Sequence, residues 1–409
     1  MTRYLAPIYL YLCLFPWVSF GLLNLDTQPF FIIFGVLIFL LNLKSQVHKS
    51  VWSLFLLMLS VYLVAAFFGE IDFETIRALA SYSSIFFSVF ALYVIKKYYI
   101  SDIRPYLYKA NYIWLSAGFL QHIFDKDIFS FFVVVRTTED RGVTGLAPEP
   151  GFYAIYLVFL SWIILKENNY EIRFKEKILV LMNLIFTVFI AKSSIGLLLI
   201  FTLVMTYMFI ALFKSYKSTF IFFGICFASI YICNFIIEEM PDSRIASLIS
   251  KIEYGPKFII YKDASINERS KHLVYPVHGA YLDFFIPHGF NNFITTIKKL
   301  DKYYSGFFWH GEDLNVIKSG YGSVIFELGW FSLFFFYFIL AALFCKNNKA
   351  RGYSLAEFIG CSLLMFAAIP ISFPLFSWFL ALSFFNYLDV KNKPMIKNNV
   401  IASGIKAKI

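Results

Sequence analysis

An arginine and a glutamate stand within nine residues of each other in Arg141-Gly-Val-Thr-Gly-Leu-Ala-Pro-Glu-Pro-Gly-Phe152, between two strongly apolar runs. Apolar packing does not require that combination, which suits a chain acting on an anionic ligand. Glu149 lies between Pro148 and Pro150. A residue before proline is pushed out of the helical region, and proline is favoured at the first helical position. Glu149 is therefore expected at the N-cap of the helix that follows, where the helix end favours its ionised form. Such a carboxylate can take a proton from a sugar hydroxyl, or bond several hydroxyls. A structural cap paired with Arg141 fits equally well. Gly142 and Gly145 allow the backbone to fold Arg141 back towards Glu149, and the guanidinium fork matches phosphate oxygens. The plainer alternative, a solvated or headgroup-contacting arginine, is assigned to Arg136.

A second set of groups lies in 238–322, a long segment of mixed charge that holds four of the six histidines. It contains Asp263-Ala-Ser265-Ile-Asn-Glu-Arg269, then Pro287-His-Gly289, His310-Gly-Glu-Asp, Gly320-Tyr-Gly-Ser323 and Glu327-Leu-Gly329. Arg269 offers a second cation for an anion. His310 titrates near neutrality and can serve as acid, base or donor. Arg244, in Pro241-Asp-Ser-Arg244, is a weaker candidate of the same kind, and His272 and His278 read as solvated. Lys192, in the tight turn Ala191-Lys-Ser-Ser194, calls for an anionic partner: a lipid headgroup or a lipid pyrophosphate. Glu70, Asp72 and Glu74 read as a solvated acidic turn. The chain has no zinc motif, no Gly-x-Ser-x-Gly and no phosphate-binding loop signature. Chemistry free of metal and cofactor is the expectation.

The elements that must hold these groups are apolar. The 409 residues are 59% hydrophobic, 21% aromatic and 15% charged, where a soluble protein carries about 25% charged residues. Alternating strands with a polar lumen are missing, so an all-α polytopic integral membrane protein is expected. Twelve spans are read at 4–24, 29–43, 50–69, 78–95, 106–124, 151–165, 178–191, 194–213, 219–237, 323–344, 354–370 and 373–388. Basic residues orient them. With a cytoplasmic N-terminus the inner loops and tail hold Lys44, Lys96, Lys97, Arg104, Arg173, Lys346 and others, whereas the short outer turns hold only Arg77 and Lys192. The net charge of +10 thus reads as topology, with no call for nucleic acid. One transmembrane domain spans 1–409, with enlarged outer loops at 125–150 and 238–322 and a basic cytoplasmic tail at 391–409. The five cysteines, Cys13, Cys226, Cys233, Cys345 and Cys361, read as small apolar residues. The first span reads as a retained helix and not a cleaved signal.

Taken together, these residues resemble the bacterial O-antigen polymerase (Wzy-type) family of the O-antigen polymerase/ligase superfamily. The match runs from Arg141 to Glu149-Pro150, then through Arg269, Pro287-His-Gly289, His310 and Glu327-Leu-Gly329. As architecture it covers nearly the whole chain; at residue level it rests on two short motifs. It implies a glycosyltransferase C-like fold of about a dozen helices. It also implies polymerisation of undecaprenyl-pyrophosphate-linked repeat units, as donor and acceptor, at the periplasmic face of the inner membrane. Arg141 and Arg269 would hold the pyrophosphate with Lys192 or Arg244, and Glu149 or His310 would orient or deprotonate the acceptor hydroxyl. Membrane lipids, a chain-length regulator and a flippase are the implied partners. An O-antigen ligase shares the plan, and a lipid-linked oligosaccharide flippase is the rival from another class. The apolar spans, nearly free of charge with Lys109 near one end, count against the flippase.

Overall fold

A computed structural model describes residues 1–19, 28–47, 49–68, 72–138, 141–168, 173–212, scattered positions within 220–239, 244–252, 254–310, 317–343, 351–367, 369, 371 and 373–392. Among them every regular element is helical. The helices are α1 (Thr2–Leu14), α2 (Phe30–Leu41), α3 (Lys49–Phe68), α4 (Phe73–Val94), α5 (Arg104–Ile123), α6 (Pro150–Glu167), α7 (Phe174–Ile185) and α8 (Ser194–Leu212). They continue as α9 (Arg244–Ile252), α10 (Pro256–Lys262), α11 (Ala264–Leu282), α12 (Phe293–Tyr303), α13 (Gly320–Leu328), α14 (Ser332–Leu343), α15 (Arg351–Ala367) and α16 (Pro374–Asn392).

Three helical stretches, Phe73–Tyr99, Pro150–Glu167 and Gly320–Leu340, are long and apolar enough to cross a membrane. Shorter apolar helices include Phe30–Leu41, Leu54–Phe68, Ser194–Thr206, Leu355–Phe366 and Pro374–Ser383. Several expected spans differ in detail. The first stops at Leu14 and not at 24, because Phe15 precedes Pro16 and takes a non-helical conformation. The span expected at 323–344 begins at Gly320 and breaks at Gly329, whose φ of +52 starts a short turn of 3-10 helix. A π-turn over Phe186–Ile190 ends α7. Much of 219–237, the tail beyond 392, and Cys226, Cys233 and Cys345 lie outside the described residues, whereas Cys13 and Cys361 are buried.

α6 is the axis of the bundle. It is apolar around its whole circumference and most of it is buried, as expected of a helix surrounded by others. It packs on α5, α7, α8 and α16, while α4 packs on α2, α3 and α16. The 238–322 segment, expected as an enlarged outer loop, is mostly helical where it is described, and α11, α12 and α13 enclose a core of their own around Tyr275, Phe293, Ile297, Leu300, Phe308, Ile317 and Phe326. The amphipathic spacing of Phe293, Ile297 and Leu300 explains why α12 forms there.

Candidate functional site

The 125–150 segment, expected as an outer loop, is mostly exposed through 138 and turns inward from Gly142. Residues 142–148 are all buried. Gln121, on the last turn of α5, organises them. Its carboxamide oxygen accepts the Gly145 N–H at 2.6 Å, and its nitrogen donates to the Lys126 carbonyl at 2.9 Å and to Thr144 at 3.2 Å. Gly145 has φ +60, and a Cβ there would strike the Tyr153 ring. The Lys126 ammonium donates to the carbonyls of Thr138 (3.0 Å) and Arg141 (2.7 Å). The sequence shows both glycines, but nothing in its spacing singles out Gln121 or Lys126.

Glu149 is the N-cap of α6, in extended backbone, as the Pro-Glu-Pro order requires. Its carboxylate accepts no bond from the first turn. It pairs with Arg136 at 3.6 Å, not with Arg141. Pairing with Arg136 follows from the backbone, since the Arg136 N–H donates to the Pro148 carbonyl at 2.7 Å. Arg136, expected to face headgroups, thus belongs to the Glu149 neighbourhood.

Arg141 does not fold back. Its guanidinium makes no hydrogen bond or ion pair among the described residues and is half-exposed. The adjoining backbone is fixed. The Val143 N–H donates to the Ile190 carbonyl at 3.1 Å, and a Cβ on Gly142 would collide with the Ala191 carbonyl. One residue beyond Ala191 stands Lys192, exposed and at φ +47. A left-handed conformation costs a non-glycine residue roughly 1–2 kcal/mol, and such outliers concentrate at functional sites. Arg141 and Lys192 therefore flank one backbone contact.

Arg269 arrives at the same end of α6 from α11. Its Nη2 stands 3.9 Å from where a Cβ would sit on Gly151, and Ile195 of α8 stands 3.7 Å from that same point. Gly151 opens α6 directly after Pro150, and Ile195 is three residues beyond Lys192. The two half-sites expected from sequence thus meet at the N-terminus of α6. A helix N-terminus carries partial positive charge and disfavours nearby cations. Arg269 reaches that of α6 at Gly151 and Arg136 pairs with the N-cap Glu149, while Arg141 and Lys192 flank the backbone contact between 142–143 and 190–191.

His310 is exposed. Its backbone N–H donates to the buried Asn267 carboxamide at 3.0 Å, which ties it to the first turns of α11, and its imidazole stands near Glu268. Burial raises the Glu268 carboxyl, but the bond to the Lys318 ammonium together with the charges of Lys318, His272 and His310 leaves the group below its usual range. Arg244 begins α9, and its side chain lies outside the described residues.

Other expectations need correction. His272 is buried, not solvated: its Nδ1 accepts the Lys318 N–H at 3.4 Å, and burial drives its pKa down to about 4. His278 bonds the Tyr304 hydroxyl at 2.8 Å. Asp72 is not part of a free acidic face. It caps α4, accepting the Thr75 N–H at 2.7 Å and the Asn291 side chain at 2.5 Å, and the Thr75 N–H holds its carboxyl below the usual range. The expectation of metal-free chemistry rests partly on reading no Asp-x-Asp in the chain, yet one occurs at Asp125 and Asp127, where Asp125 accepts the Asp127 N–H at 3.1 Å in a turn. Glu327-Leu-Gly329 packs on Pro287-His-Gly289, with Gly289 N–H on the Glu327 carbonyl at 3.2 Å and Tyr82 donating to the Glu327 carboxylate at 2.6 Å.

At the opposite end of α6 the bundle buries two ion pairs, Lys166–Glu357 at 2.6 Å and Lys96–Glu167 at 2.7 Å. No family model, no curated protein and no solved structure matches this chain.

Proposed function

We propose that this chain is a membrane glycosyltransferase that polymerises undecaprenyl-pyrophosphate-linked oligosaccharide repeat units into O-antigen or a related surface glycan. In this reading the helices form about twelve crossings of a bacterial inner membrane, with both termini cytoplasmic. The α6 N-terminus and the α9–α13 unit then lie at the periplasmic face. The observation that carries the reading is Arg269 at the first turn of α6, together with the backbone contact between 142–143 and 190–191 that Arg141 and Lys192 flank. Cations placed against a positive helix end are mutually unfavourable, and a multiply charged anion among them removes that cost. A lipid pyrophosphate supplies such charge, and more of it develops as the pyrophosphate leaves, so preorganised cations favour the transition state.

In the transfer, the acceptor hydroxyl oxygen bonds the donor's anomeric carbon. The bond from that carbon to the pyrophosphate oxygen breaks, and the electron pair departs with the carrier pyrophosphate. Glu149, half-exposed beside the cations, takes the hydroxyl proton; His310, tied to the first turns of α11, is the other candidate.

The test is chain extension of a lipid-linked repeat unit by purified protein. Arg141→Ala and Arg269→Ala should each lower extension at least a hundredfold while the protein stays in the membrane at wild-type amount. Full-length polymer from both variants on a glycolipid gel would refute the clamp. A deletion strain separates polymerase from ligase: lipopolysaccharide capped with a single repeat supports the polymerase, and uncapped lipopolysaccharide with polymer left on the carrier supports the ligase.

A further inference from the structure

The turn between α11 and α12 points apolar side chains outward. Tyr281, Leu282, Phe284 and Ile286 are all exposed, Phe284 to 81%. Phe284 and Phe285 stand at φ +54 and +55, consecutive bulky residues in the left-handed region. This backbone brings the Phe285 ring within 5.7 Å of the Trp330 ring and leaves Phe284 facing away from the protein. Three observations identify what covers the tip.

The first is its depth. The helical stretch Phe73–Tyr99 has 27 residues, roughly 40 Å, which is the thickness of a bilayer with its headgroups. Its outer end is the cap Asp72, and Lys96 near its inner end pairs with Glu167 at the far end of α6. Tyr82 lies roughly 15 Å along the stretch from that cap, and its hydroxyl donates to Glu327 at 2.6 Å. Gly329 follows shortly after Glu327, and a Cβ on it would strike the Phe285 carbonyl. The tip therefore lies beside the body of α4. The chain returns to the outer end at Asn291, whose side chain bonds Asp72 at 2.5 Å.

The second is continuity. Trp330, Leu333, Phe334 and Tyr337 are exposed at three- and four-residue spacing, along one face of the stretch Gly320–Leu340 that is long and apolar enough to cross a membrane. The Trp330 N–H donates to the Phe285 carbonyl at 3.0 Å, which joins the tip to the start of that face.

The third is that the turn does not need water. From Asp283 to Gly289 every backbone N–H donates within the protein, Pro287 having none. Asp283 donates to Gly279, Phe284 to Tyr281, Phe285 to Ala280 and Ile286 to Asp283, and then His288 and Gly289 donate to Phe326 and Glu327. The one carboxylate of the turn, Asp283, bonds His288 Nε2 at 2.9 Å. Hydrocarbon offers the backbone no partner, so irregular chain enters it only with its polar groups already bonded, and a charge there is expected with a partner. Beyond the turn, α12 carries exposed Lys298, Lys299 and Lys302, as a helix in water does.

We propose that the end of α11 re-enters the membrane. α11 descends from the outer end of α6, where Arg269 meets Gly151, and its tip lies just below the headgroups of the outer leaflet, with Phe284 and Ile286 in hydrocarbon. The partner of this surface is the bilayer itself. The proposal rests on the membrane topology proposed above and is independent of glycosyl transfer.

The full-length wild-type protein, one copy per phosphatidylcholine nanodisc, is irradiated with a lipid-soluble aryl diazirine. Peptides holding 281–286 and 330–337 should each be labelled at least fivefold more than the peptide holding 298–302. Labelled 330–337 beside unlabelled 281–286 overturns the proposal without recourse to a variant. Nitroxides are then attached at Phe284→Cys, Ile286→Cys, Tyr337→Cys and Lys299→Cys, in a background whose five cysteines are replaced by alanine. Collisions with oxygen and with a water-soluble nickel chelate are compared. The oxygen-to-nickel ratio at 284 and 286 should exceed that at 299 at least fivefold, as it should at 337. Ratios at 284 and 286 equal to that at 299, with 337 high, overturn the proposal and leave the topology standing. Few collisions with either reagent at 284 mean that protein covers the tip, which overturns it too. A low ratio at 337 as well sinks the topology along with the proposal.

Discussion

Gly142 is the position where a single methyl group should separate the two cations it helps to hold. A Cβ there would overlap three backbone atoms at once, the Ala191 carbonyl carbon and oxygen and the Ile190 oxygen. No side-chain rotation relieves backbone against backbone, so the 141–143 segment must move away from the 190–192 turn by about 1 Å or more. Forced overpacking of this kind costs roughly 1–3 kcal/mol. The movement also strains the Val143 N–H to Ile190 carbonyl bond. An unmade buried bond adds about 1–3 kcal/mol. Gly142→Ala should therefore lose about 2–6 kcal/mol of stability, less whatever the backbone recovers by relaxing. If Arg141 and Lys192 act together on one anion, a shift of that size should also lower chain extension on the order of a hundredfold. Thermal unfolding in detergent and glycan extension measure the two effects separately. Gly224→Ala is the control, since nothing lies within 4 Å of a Cβ there and the residue is helical; it should be neutral or slightly stabilising. A Gly142→Ala protein with wild-type melting and wild-type extension would refute both the contact and the coupling of the two cations.

Three further outcomes follow from the same geometry. Glu149→Gln removes a half-exposed partner of Arg136, so stability should change by no more than about 1 kcal/mol; a base at this position predicts a loss of extension of about a hundredfold or more, and wild-type extension would leave Glu149 with the capping role alone. Lys166→Met strands the buried Glu357 carboxylate and should cost roughly 3–5 kcal/mol, whereas Lys166→Met with Glu357→Leu should recover most of it in the same melt. His272 carries a folded pKa of about 4 against an ordinary 6.5. The unfolded chain then binds more protons between those values, so stability is complete above pH 6.5 and falls as pH drops towards 4, by up to roughly 3 kcal/mol. His272→Gln should flatten that part of the melting-versus-pH curve, and an unchanged slope would show that another group titrates.

What the sequence makes legible here depends on the range of the interaction. The N-cap at Glu149 is visible because proline restricts its neighbours and itself, a constraint confined to three residues. The stop of α1 at Leu14 has the same local cause, Pro16, yet apolar composition running on to Leu23 conceals it. The Glu149–Arg136 pair is not legible: Arg136 and Arg141 are equivalent in type and similar in distance along the chain. The choice between them is made by the bond from Arg136 N–H to the Pro148 carbonyl. His272 and His310 illustrate the same limit. Both sit in a polar-looking stretch, but α11 buries the one on its inner face while the other ends up exposed after α12. Gln121 and Asn267, which organise the two halves, carry no spacing signal, because a carboxamide bonds whichever backbone the tertiary fold delivers to it.

The position of the cations relative to α6 supplies the strongest constraint on any reading of the site. α6 is buried around its circumference, so its first turn is the point where the bundle's central axis meets the outer segments. Two chain segments far apart in sequence, 141–143 with the 190–192 turn and the first turns of α11, converge on that point. A protein selecting only for stability has cheaper solutions. It would place acids at a helix N-terminus, as Asp72 does for α4 and Asp263 for α11. Here the N-cap acid is turned aside to Arg136, and Arg269 takes the place beside Gly151. The contrast with the Asp-capped ends of α4 and α11 is the pattern expected of a helix end that receives an anion. Saturating the protein with inorganic pyrophosphate should then raise its melting temperature. Arg269→Ala should abolish that rise, and a wild-type protein indifferent to pyrophosphate would show that the cations compensate one another through their own solvation.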